Sequence, residues 1–328
     1  MGTRNILVTG GLGFIGHGVV NLLEAQGHTV IITDTQTTYG IIPTAELDSL
    51  IAERRQYIKT DRIYRVDVAD QAGMTWMIQQ HKIDTVVHLA SFPRQKVVNA
   101  NPTLGSRTMS EGLLSLLEAC RDQVNKFVYV SSSMVYGDFR EENFDGISES
   151  AHCNPVGQYG IMKLAGEWLI KDYAARTGMK YTILRPSAVY GPRDVEDRVV
   201  SKFLLTAMRD EILQVNGSDE YLDFTHVDDA AQGIAQASVS DRSDNRIYNI
   251  TRGFSRGLAE AAKLAVDIAG HGTIQLNPRD SAFPRRGQLN TSQARHDFNF
   301  APSIDIEKGF ENYFQWLNNS FYRNKKTV

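Results

Sequence analysis

Cysteine is scarce in this chain of 328 residues, which contains only Cys120 and Cys153 and no C-x-x-C pair. The scarcity excludes a disulfide framework and is typical of a protein in the reducing cytosol. No apolar run approaches the roughly 20 residues that cross a bilayer. A strand-like run begins by Asn5, which leaves no room for a signal peptide ahead of it. We therefore predict a cytoplasmic protein that has no contact with a membrane.

An excess of charge of either sign is missing too. The 35 basic and 38 acidic residues are mixed along the chain and give a net charge of −3. Proteins that bind nucleic acid or an anionic membrane show a basic footprint, so neither partner is predicted. His152 and Cys153 lack the spaced partners of a zinc site, and no metal is predicted. The chain has no phosphate-binding lysine loop and no G-x-S-x-G turn, which disfavours acyl transfer.

Strand-like and helix-like segments alternate, which predicts an α/β fold built on a doubly wound parallel sheet of the Rossmann type. We predict strands at residues 6–9, 30–34, 63–66, 85–89, 127–131, 182–184 and 247–250, and helices at 14–26, 74–81, 110–121 and 159–177. Beyond Pro186, predicted helices at 201–209, 230–237, 258–268 and 306–317 indicate a smaller, interleaved C-terminal α/β substrate lobe. The predicted Rossmann domain is 1–185 plus about 223–250, and the predicted lobe is 186–222 with 251–328.

A glycine-rich turn joins the first predicted strand to the first predicted helix. Gly10, Gly13 and Gly16 give the spacing G-x-x-G-x-x-G. A strand that enters a helix through glycines brings backbone N–H groups and the positive helix end to a bound phosphate. The alternative is an ordinary glycine-rich turn. Asp34 favours the dinucleotide, because it ends the second predicted strand, where such folds keep the acid that binds the ribose. No basic residue follows Asp34 closely, so NAD is predicted rather than NADP.

Two further segments could perform chemistry. Tyr159 and Lys163 are four residues apart at the start of a predicted helix and share one face of it. A nearby cation lowers the pKa of a tyrosine, which can then remove a hydroxyl proton while hydride leaves the same carbon. Ser132, within a run of three serines, follows the fifth predicted strand at the active edge of the sheet. Alternatively, the tyrosine and lysine belong to an ordinary amphipathic helix and the serines cap a loop.

In this order, residues 10–16, Asp34, Ser132 and Tyr159-Gly-Ile-Met-Lys163 resemble the extended short-chain dehydrogenase/reductases. Within that group the chain resembles the NAD-dependent nucleotide-sugar epimerase/dehydratase family over nearly its whole length. Other stretches that carry the resemblance are Asp67-Val68, His88-Leu89-Ala90, Arg185-Pro186, Tyr190-Gly191-Pro192-Arg193, Asp223-Phe224-Thr225-His226-Val227-Asp228-Asp229 and Arg285-Arg286-Gly287.

The resemblance implies roles for individual residues. The catalytic set would be Ser132, Tyr159 and Lys163. The implied cofactor-binding set is Gly10, Gly13, Phe14, Ile15, Gly16, Asp34, Asp67, Val68, Leu89, Ala90, Tyr159, Lys163 and Pro186. In it, the glycines hold the pyrophosphate, Asp34 the adenosine ribose, Asp67 and Val68 the adenine, and Lys163 the nicotinamide ribose. The implied substrate-binding set is Ser132, Ser133, Ser187, Arg193, Arg285 and Arg286, in which Arg285 or Arg286 grips the phosphates of a sugar nucleotide.

Departures from the family pattern narrow the reaction. Dehydratases carry an Asp-Glu pair where this chain has Ser133 and Met134, so 4,6-dehydration is disfavoured. Ser187 stands where the family often has an asparagine, and Leu222 stands where it often has an arginine. In the family, that asparagine and that arginine contact the diphosphate. We therefore predict an NAD-dependent epimerase that inverts C4 of a nucleotide-linked sugar through a 4-keto intermediate, with tightly bound NAD. The alternative is a net dehydrogenase or 4-ketoreductase, and a non-catalytic NAD-binding protein is the least favoured. The resemblance also implies a homodimer, paired through helices near 110–121 and 159–177.

Overall fold

The computed structural model describes residues 2–40, 42–92, 95–139, 146–195, 198–281 and 283–324. The strands in this part of the chain are β1 (Asn5–Thr9), β2 (Thr29–Thr33), β3 (Ile63–Tyr64), β4 (Thr85–His88), β5 (Lys126–Val130), β6 (Lys180–Pro186), β7 (Val189–Tyr190), β8 (Ile212–Asn216), β9 (Tyr221–Leu222), β10 (Thr225–His226), β11 (Arg246–Ile250), β12 (Arg256–Gly257) and β13 (Thr273–Asn277).

The α-helices are α1 (Gly16–Ala25), α2 (Thr44–Arg55), α3 (Gln71–Gln80), α4 (Gln95–Ala100), α5 (Pro102–Ser106), α6 (Gly112–Cys120), α7 (Gln158–Thr177), α8 (Val199–Met208), α9 (Val227–Val239), α10 (Leu258–Ala269), α11 (Ser292–Phe298) and α12 (Ile306–Asn319). A π-helical segment, Arg107–Glu111, leads into α6. No helix of the described residues is both long enough and apolar enough to cross a membrane.

Seven strands form one parallel sheet in the order β11-β6-β5-β4-β1-β2-β3. All seven strands predicted from the sequence belong to it, so the predicted doubly wound sheet is confirmed. The strand order reverses between β1 and β4, and ligands of such sheets bind outside the carboxyl ends of the strands at that point. A ligand site is therefore expected at the segments that follow β1, β2, β4, β5 and β6.

Apolar side chains cover both faces of this sheet. One face packs against α1, α9 and α11 through residues such as Val19, Ile234 and Phe298. The other packs against α3, α6 and α7 through residues such as Met77 and Leu116. The strands are rich in β-branched residues and buried on both faces, as parallel strands between two helical layers require. The sheet is thus a rigid platform for the loops at its carboxyl edge.

The later part of the chain builds a separate apolar cluster, in which α8, α10 and α12 pack around Phe224, Phe310 and Tyr313. Three two-stranded sheets lie here: β7 with β10, β8 with β13, and β9 with β12. The sequence predicted these helices but not the short strands. β11 returns from this region to the edge of the main sheet, beside β6. The predicted division of the chain into two interleaved domains stays a prediction.

Candidate active site

The glycine-rich turn after β1 can be built only from glycines at its critical points. Gly10 has a φ of +69°, and a Cβ there would lie 2.9 Å from the backbone nitrogen of Ala90 on the neighbouring strand end. A Cβ on Gly13 would lie 2.9 Å from the Gly10 carbonyl oxygen, and one on Gly16 would overlap that oxygen. Helix α1 begins at Gly16. The turn therefore presents backbone and a positive helix end to the cavity beside it, which fits a diphosphate.

Asp34 follows β2 and lies against the glycine-rich turn. Its two carboxylate oxygens accept hydrogen bonds from the backbone N–H groups of Leu12, at 3.1 Å, and Gln36, at 2.8 Å. Burial raises the pKa of Asp34, while these hydrogen bonds and the charge of Arg54 act against that rise. Each oxygen keeps acceptor capacity toward the cavity. This arrangement fits the predicted role of Asp34 on a ribose.

The predicted cofactor residues come together in space, although they are spread over most of the first 186 residues. All of them line one cavity along the carboxyl edge of the sheet: Gly10, Gly13, Phe14, Ile15, Gly16, Asp34, Asp67, Val68, Leu89, Ala90, Tyr159, Lys163 and Pro186. The cavity runs from the β2 side of the reversal point to the β6 side. Their contacts with a cofactor stay predictions, and their common location supports them.

The predicted catalytic residues lie at the far end of this cavity. Ser132 follows β5, and its hydroxyl accepts a hydrogen bond from the backbone of Met134 at 3.2 Å. Tyr159 is the second residue of α7, and Lys163 follows one turn later with its Nζ 5.9 Å from the phenol ring centroid. The side chain of Ser132 also forms a hydrogen bond with Tyr159. The tertiary fold thus assembles the serine, the tyrosine and the lysine.

The electrostatics of the phenol differ from the sequence-based prediction. Burial raises the pKa of Tyr159 above its usual value, and the charge of Arg198 and the hydrogen bond from Ser132 only partly offset this. The Nζ of Lys163 instead donates to the carbonyl of Val130 at 2.8 Å. The expected lowering of the phenol pKa by Lys163 is therefore not found. The cation that acts on Tyr159 in this structure is Arg198, which no sequence motif indicated.

Lys163 is itself strongly perturbed, because its ammonium group is buried. Burial lowers the pKa of Lys163 to about 7, and the carboxylate of Glu167, one turn later on α7, acts to raise it. The lysine side chain is only 4 % exposed. A lysine that titrates near neutral pH can respond to charges placed in the cavity.

Four of the six predicted substrate residues line the cavity, namely Ser132, Ser133, Ser187 and Arg286. The other two point elsewhere. The guanidinium of Arg193 donates to His17 at 3.0 Å and to the Tyr57 hydroxyl at 3.1 Å. Arg285 is exposed and pairs with Asp219 at 3.0 Å. Substrate contacts of these two arginines stay predictions that their present positions do not support.

His88 and Leu222, which were both compared with the family pattern in the sequence, are buried residues. His88 is buried, bonds to Thr9 at 2.7 Å and has a pKa lowered to about 3 by burial, with the charge of Lys163 contributing. It is therefore a neutral residue of the core. Leu222, which replaces the frequent arginine of the family, lies in the apolar cluster around Phe224. Among the residues that the structure describes, no group of three or more His, Cys, Asp or Glu could hold a metal ion.

Comparison with known proteins places this geometry among nucleotide-sugar enzymes. A model of the NAD dependent epimerase/dehydratase family matches residues 6–251. A Bacillus subtilis protein described as the uncharacterized UDP-glucose epimerase YtcB is 28% identical over 325 residues, covering 96% of this chain and 98% of its own. The dTDP-glucose 4,6-dehydratase of Streptomyces griseus is also 28% identical, covering 96% of this chain and 94% of its own. The UDP-glucose 4-epimerase of Thermus thermophilus, solved in complex with NAD, superposes with a TM-score of 0.85 at 25% identity, covering 97% of this chain and 100% of its own.

Proposed function

Since this chain belongs to the NAD-dependent epimerase/dehydratase family, we propose that it inverts the C4 centre of a nucleotide-linked sugar without net oxidation. It is an NAD-dependent nucleotide-sugar enzyme of the extended short-chain dehydrogenase/reductase type. The choice of reaction depends mainly on one observation. Ser132, Tyr159 and Lys163 meet at one end of the cofactor cavity, while Ser133 and Met134 stand where a dehydratase would need its acid pair.

The residues of the chain support both halves of such a reaction. Bound NAD supplies the acceptor, and later the donor, of a hydride at its nicotinamide ring. The Tyr159 phenolate removes the proton of the sugar 4-OH as the C4–H bond gives up its hydride. Ser132 donates a hydrogen bond to the same oxygen. After the 4-keto sugar turns over in the cavity, hydride returns to its other face, and Tyr159 gives the proton back to the oxygen.

Arg198 and the hydrogen bond from Ser132 favour the charged form of the Tyr159 phenol despite its burial. Burial alone disfavours the charged form of Tyr159. The positive charge of Arg198 favours that form, and a protonated Lys163 beneath the ring would add to it. The raised pKa also means that Tyr159 is protonated before substrate and cofactor enter. The phenol must therefore lose its proton to solvent once NAD is bound, and the positive charge of the oxidised nicotinamide would favour that loss.

The residues that replace the dehydratase pair disfavour the loss of water. Elimination across C5 and C6 needs one group to remove the C5 proton and another to protonate the departing hydroxyl. A serine hydroxyl is too weak as an acid and as a base for either task, and the thioether of Met134, 5 % exposed, is not basic and carries no proton. The similarity to dehydratases thus reflects the common first step, which is oxidation at C4.

The substrate end of the cavity has a cation suited to a diphosphate. Arg286 lines the cavity, and although burial lowers its pKa to about 10, the guanidinium stays charged at neutral pH. A guanidinium forms bidentate hydrogen bonds with phosphate oxygens. Ser187, 3 % exposed, supplies a hydroxyl at the end of β6 in place of the frequent asparagine. We assign the nucleotide-bearing part of the substrate to this side.

Purified protein with its own bound NAD should interconvert UDP-glucose and UDP-galactose, or another pair of C4 epimers, without added NAD. Each hydride removed is returned, so one cofactor serves many turnovers. The measurement is chromatographic separation of the epimers, together with absorbance at the wavelength of NADH. A matched panel of UDP-, GDP-, CDP- and dTDP-sugars identifies the nucleotide. Stoichiometric NADH with a keto product would instead establish the net dehydrogenase.

We also propose that the enzyme is a homodimer joined through α6 and α7. These helices expose Leu114, Ile161 and Trp168, whose exposed fractions are 43%, 46% and 63%. Ile161 and Trp168 are seven residues apart on α7 and therefore share one face. Exposed apolar side chains on two helices that contact each other are suited to a self-complementary interface.

Replacing Trp168 with glutamate should convert the dimer to a monomer, because it places a charge in an apolar interface. The matched control is Trp76→Glu on α3, whose indole is 52% exposed and packs edge-on against Tyr64. Sedimentation velocity of both variants and of the parent chain checks the prediction. Monomeric parent protein, or a Trp168→Glu variant that sediments like the parent, would show that α6 and α7 do not form the interface.

A further inference from the structure

A buried arginine lies beside the glycine-rich turn and has no place in the proposed chemistry. Arg54, near the end of α2, is 4 % exposed and lines the cofactor cavity. Its Nη1 donates to the carbonyl of Leu12 within the turn at 3.2 Å. Its Nη2 and Nε donate to the carbonyl of Arg193 at 2.6 and 3.2 Å. One side chain thus joins the turn after β1 to the segment after β7.

A second contact joins the same two segments. His17 follows Gly16 at the start of α1, and its Nδ1 lies 3.1 Å from the Gly13 carbonyl. The Nε of Arg193 donates to His17 Nε2 at 3.0 Å. Burial lowers the pKa of His17 to about 3, with the charge of Arg193 adding to the effect, so the ring is neutral at pH 7. A neutral ring with its proton on Nδ1 satisfies both contacts, donating to Gly13 and accepting from Arg193.

The geometry of Arg193 serves these contacts. Its backbone has a φ of +69°, which is costly for a residue with a side chain. Its guanidinium lies 4.4 Å from the ring centroid of Tyr57 and donates to the Tyr57 hydroxyl. This conformation aims the carbonyl at Arg54 and the side chain at His17. Arg54 thus contacts the carbonyl of Arg193, and His17 contacts its guanidinium. These two contacts hold the strained backbone of Arg193 in place.

The residues that follow Arg193 reach the catalytic end of the cavity. Asp194 is 2 % exposed and lies within 3.2 Å of the Nε of Arg198, and both residues line the cavity. Arg198 is the cation that acts on the phenol of Tyr159. A displacement at Arg193 would therefore change the position of the charge that faces the catalytic base. Contacts between neighbouring residues thus connect the glycine-rich turn, through Arg54 and Arg193, to Arg198 at the catalytic end of the cavity.

The positive charge of Arg54 is the reason that a bound diphosphate would favour this set of contacts. A buried guanidinium is costly unless anions compensate it. The charges of Asp194 and Asp34 act most strongly to raise the pKa of Arg54, but burial dominates and lowers it. A diphosphate bound at the turn would bring two further negative charges to this guanidinium. The occupied cofactor site therefore stabilises the conformation in which Arg54 holds both carbonyls.

We propose that Arg54 is a positioning residue that links occupancy of the NAD diphosphate site to the positions of Arg193, Asp194 and Arg198. It acts through its hydrogen bonds to the Leu12 and Arg193 carbonyls. The inference rests on NAD binding alone for its first half, and on the proposed C4 chemistry only for the effect on turnover.

The test measures NAD binding and amide hydrogen exchange in Arg54→Met, Arg54→Lys and Arg55→Met. Arg55 is the control, because it lies next to Arg54 on α2 and pairs instead with exposed Asp61 at 2.8 Å. In the parent chain and in Arg55→Met, NAD should slow exchange in the peptide covering residues 188–195. In Arg54→Met that protection should disappear, and the dissociation constant of NAD should rise by about tenfold or more, the size expected for losing a charged hydrogen bond. Neither readout needs a sugar substrate.

Arg54→Lys separates charge from bridging and keeps the test informative if the methionine variant does not fold. A lysine is a point charge that cannot donate to two separated carbonyls in fixed geometry. It should keep NAD affinity within about threefold of the parent, less than the loss of a charged hydrogen bond, while losing the protection of residues 188–195. Protection that persists in both variants would overturn the proposal. NAD-dependent protection together with no turnover on any sugar nucleotide would leave the coupling standing and reject the proposed function.

Discussion

Replacing Tyr159 with phenylalanine is expected to lower epimerase turnover by about a thousandfold or more while leaving NAD bound, within the range assigned to general acid–base catalysis. The substitution removes only the phenolic oxygen, which as phenolate would accept the proton from the sugar 4-OH. The ring stays in place 5.9 Å from the Nζ of Lys163. Ser132 keeps its hydrogen bond from Met134. The cavity should therefore keep its shape while the proton acceptor is lost.

The measurement is steady-state turnover together with the NAD content of the purified variant. Tyr181→Phe is a suitable control, because Tyr181 lies near the start of β6, at the opposite end of the strand from the cavity. The control should retain parent activity. If Tyr159→Phe also retained it, the proton would have to leave through another group, and the proposed base would be wrong.

Replacing Glu167 with alanine should destabilise the fold by about 3–5 kcal/mol, the cost of breaking a buried ion pair. Glu167 is 0% exposed. Its carboxylate accepts from the Arg185 guanidinium at 2.9 and 2.6 Å, and from the Ser131 hydroxyl at 2.6 Å. Alanine would leave the Arg185 charge and the Ser131 donor buried without that partner. Urea denaturation of the variant and the parent at equal NAD content gives the difference.

The control on the same helix is Asp172→Ala. Asp172 pairs with Arg176 at 2.8 Å, but the two side chains are 65% and 56% exposed. An exposed pair of this kind contributes about 0.3–0.5 kcal/mol. A Glu167→Ala variant no less stable than the control would show that the buried pair contributes little. Glu167→Gln keeps the shape of the side chain but removes the charge that raises the pKa of Lys163. The pKa of Lys163 should therefore fall, and the pH at which the variant is active should be lower than that of the parent.

Much of the fold could be predicted from local sequence. β-branched runs such as Thr29–Thr33 are buried on both faces, and their apolar character is sufficient to mark them as strands. The glycines at 10, 13 and 16 could be identified by their spacing after a strand, and the structure shows that each position excludes a side chain. The spacing of Tyr159 and Lys163 and their place after the fifth strand predict that both residues lie at the cavity, which they line. In each case the signal lies within a few residues of the element.

The remaining features depend on contacts between distant segments. Helix α2 was not predicted, because its polar sequence shows no clear apolar face, and it buries Glu46 and Arg54 beside Leu50. The contact of Arg193 with Tyr57 depends on a left-handed backbone that the sequence does not indicate, and its role toward substrate stays a prediction. Arg198 carries no motif and reaches the phenol only through the tertiary fold. Burial of the phenol, which sets its pKa, likewise cannot be derived from spacing.

The late return of β11 to the main sheet has a consequence for biosynthesis. β6 ends at Pro186, whereas its partner β11 ends at Ile250. At roughly 5–20 residues per second, the ribosome leaves this strand edge open for several seconds. During that interval the nascent chain presents unpaired N–H and C=O groups to any neighbouring polypeptide. A gene fragment ending near residue 185 would make that exposure permanent, so heterologous expression of residues 1–185 alone requires β11 to be supplied.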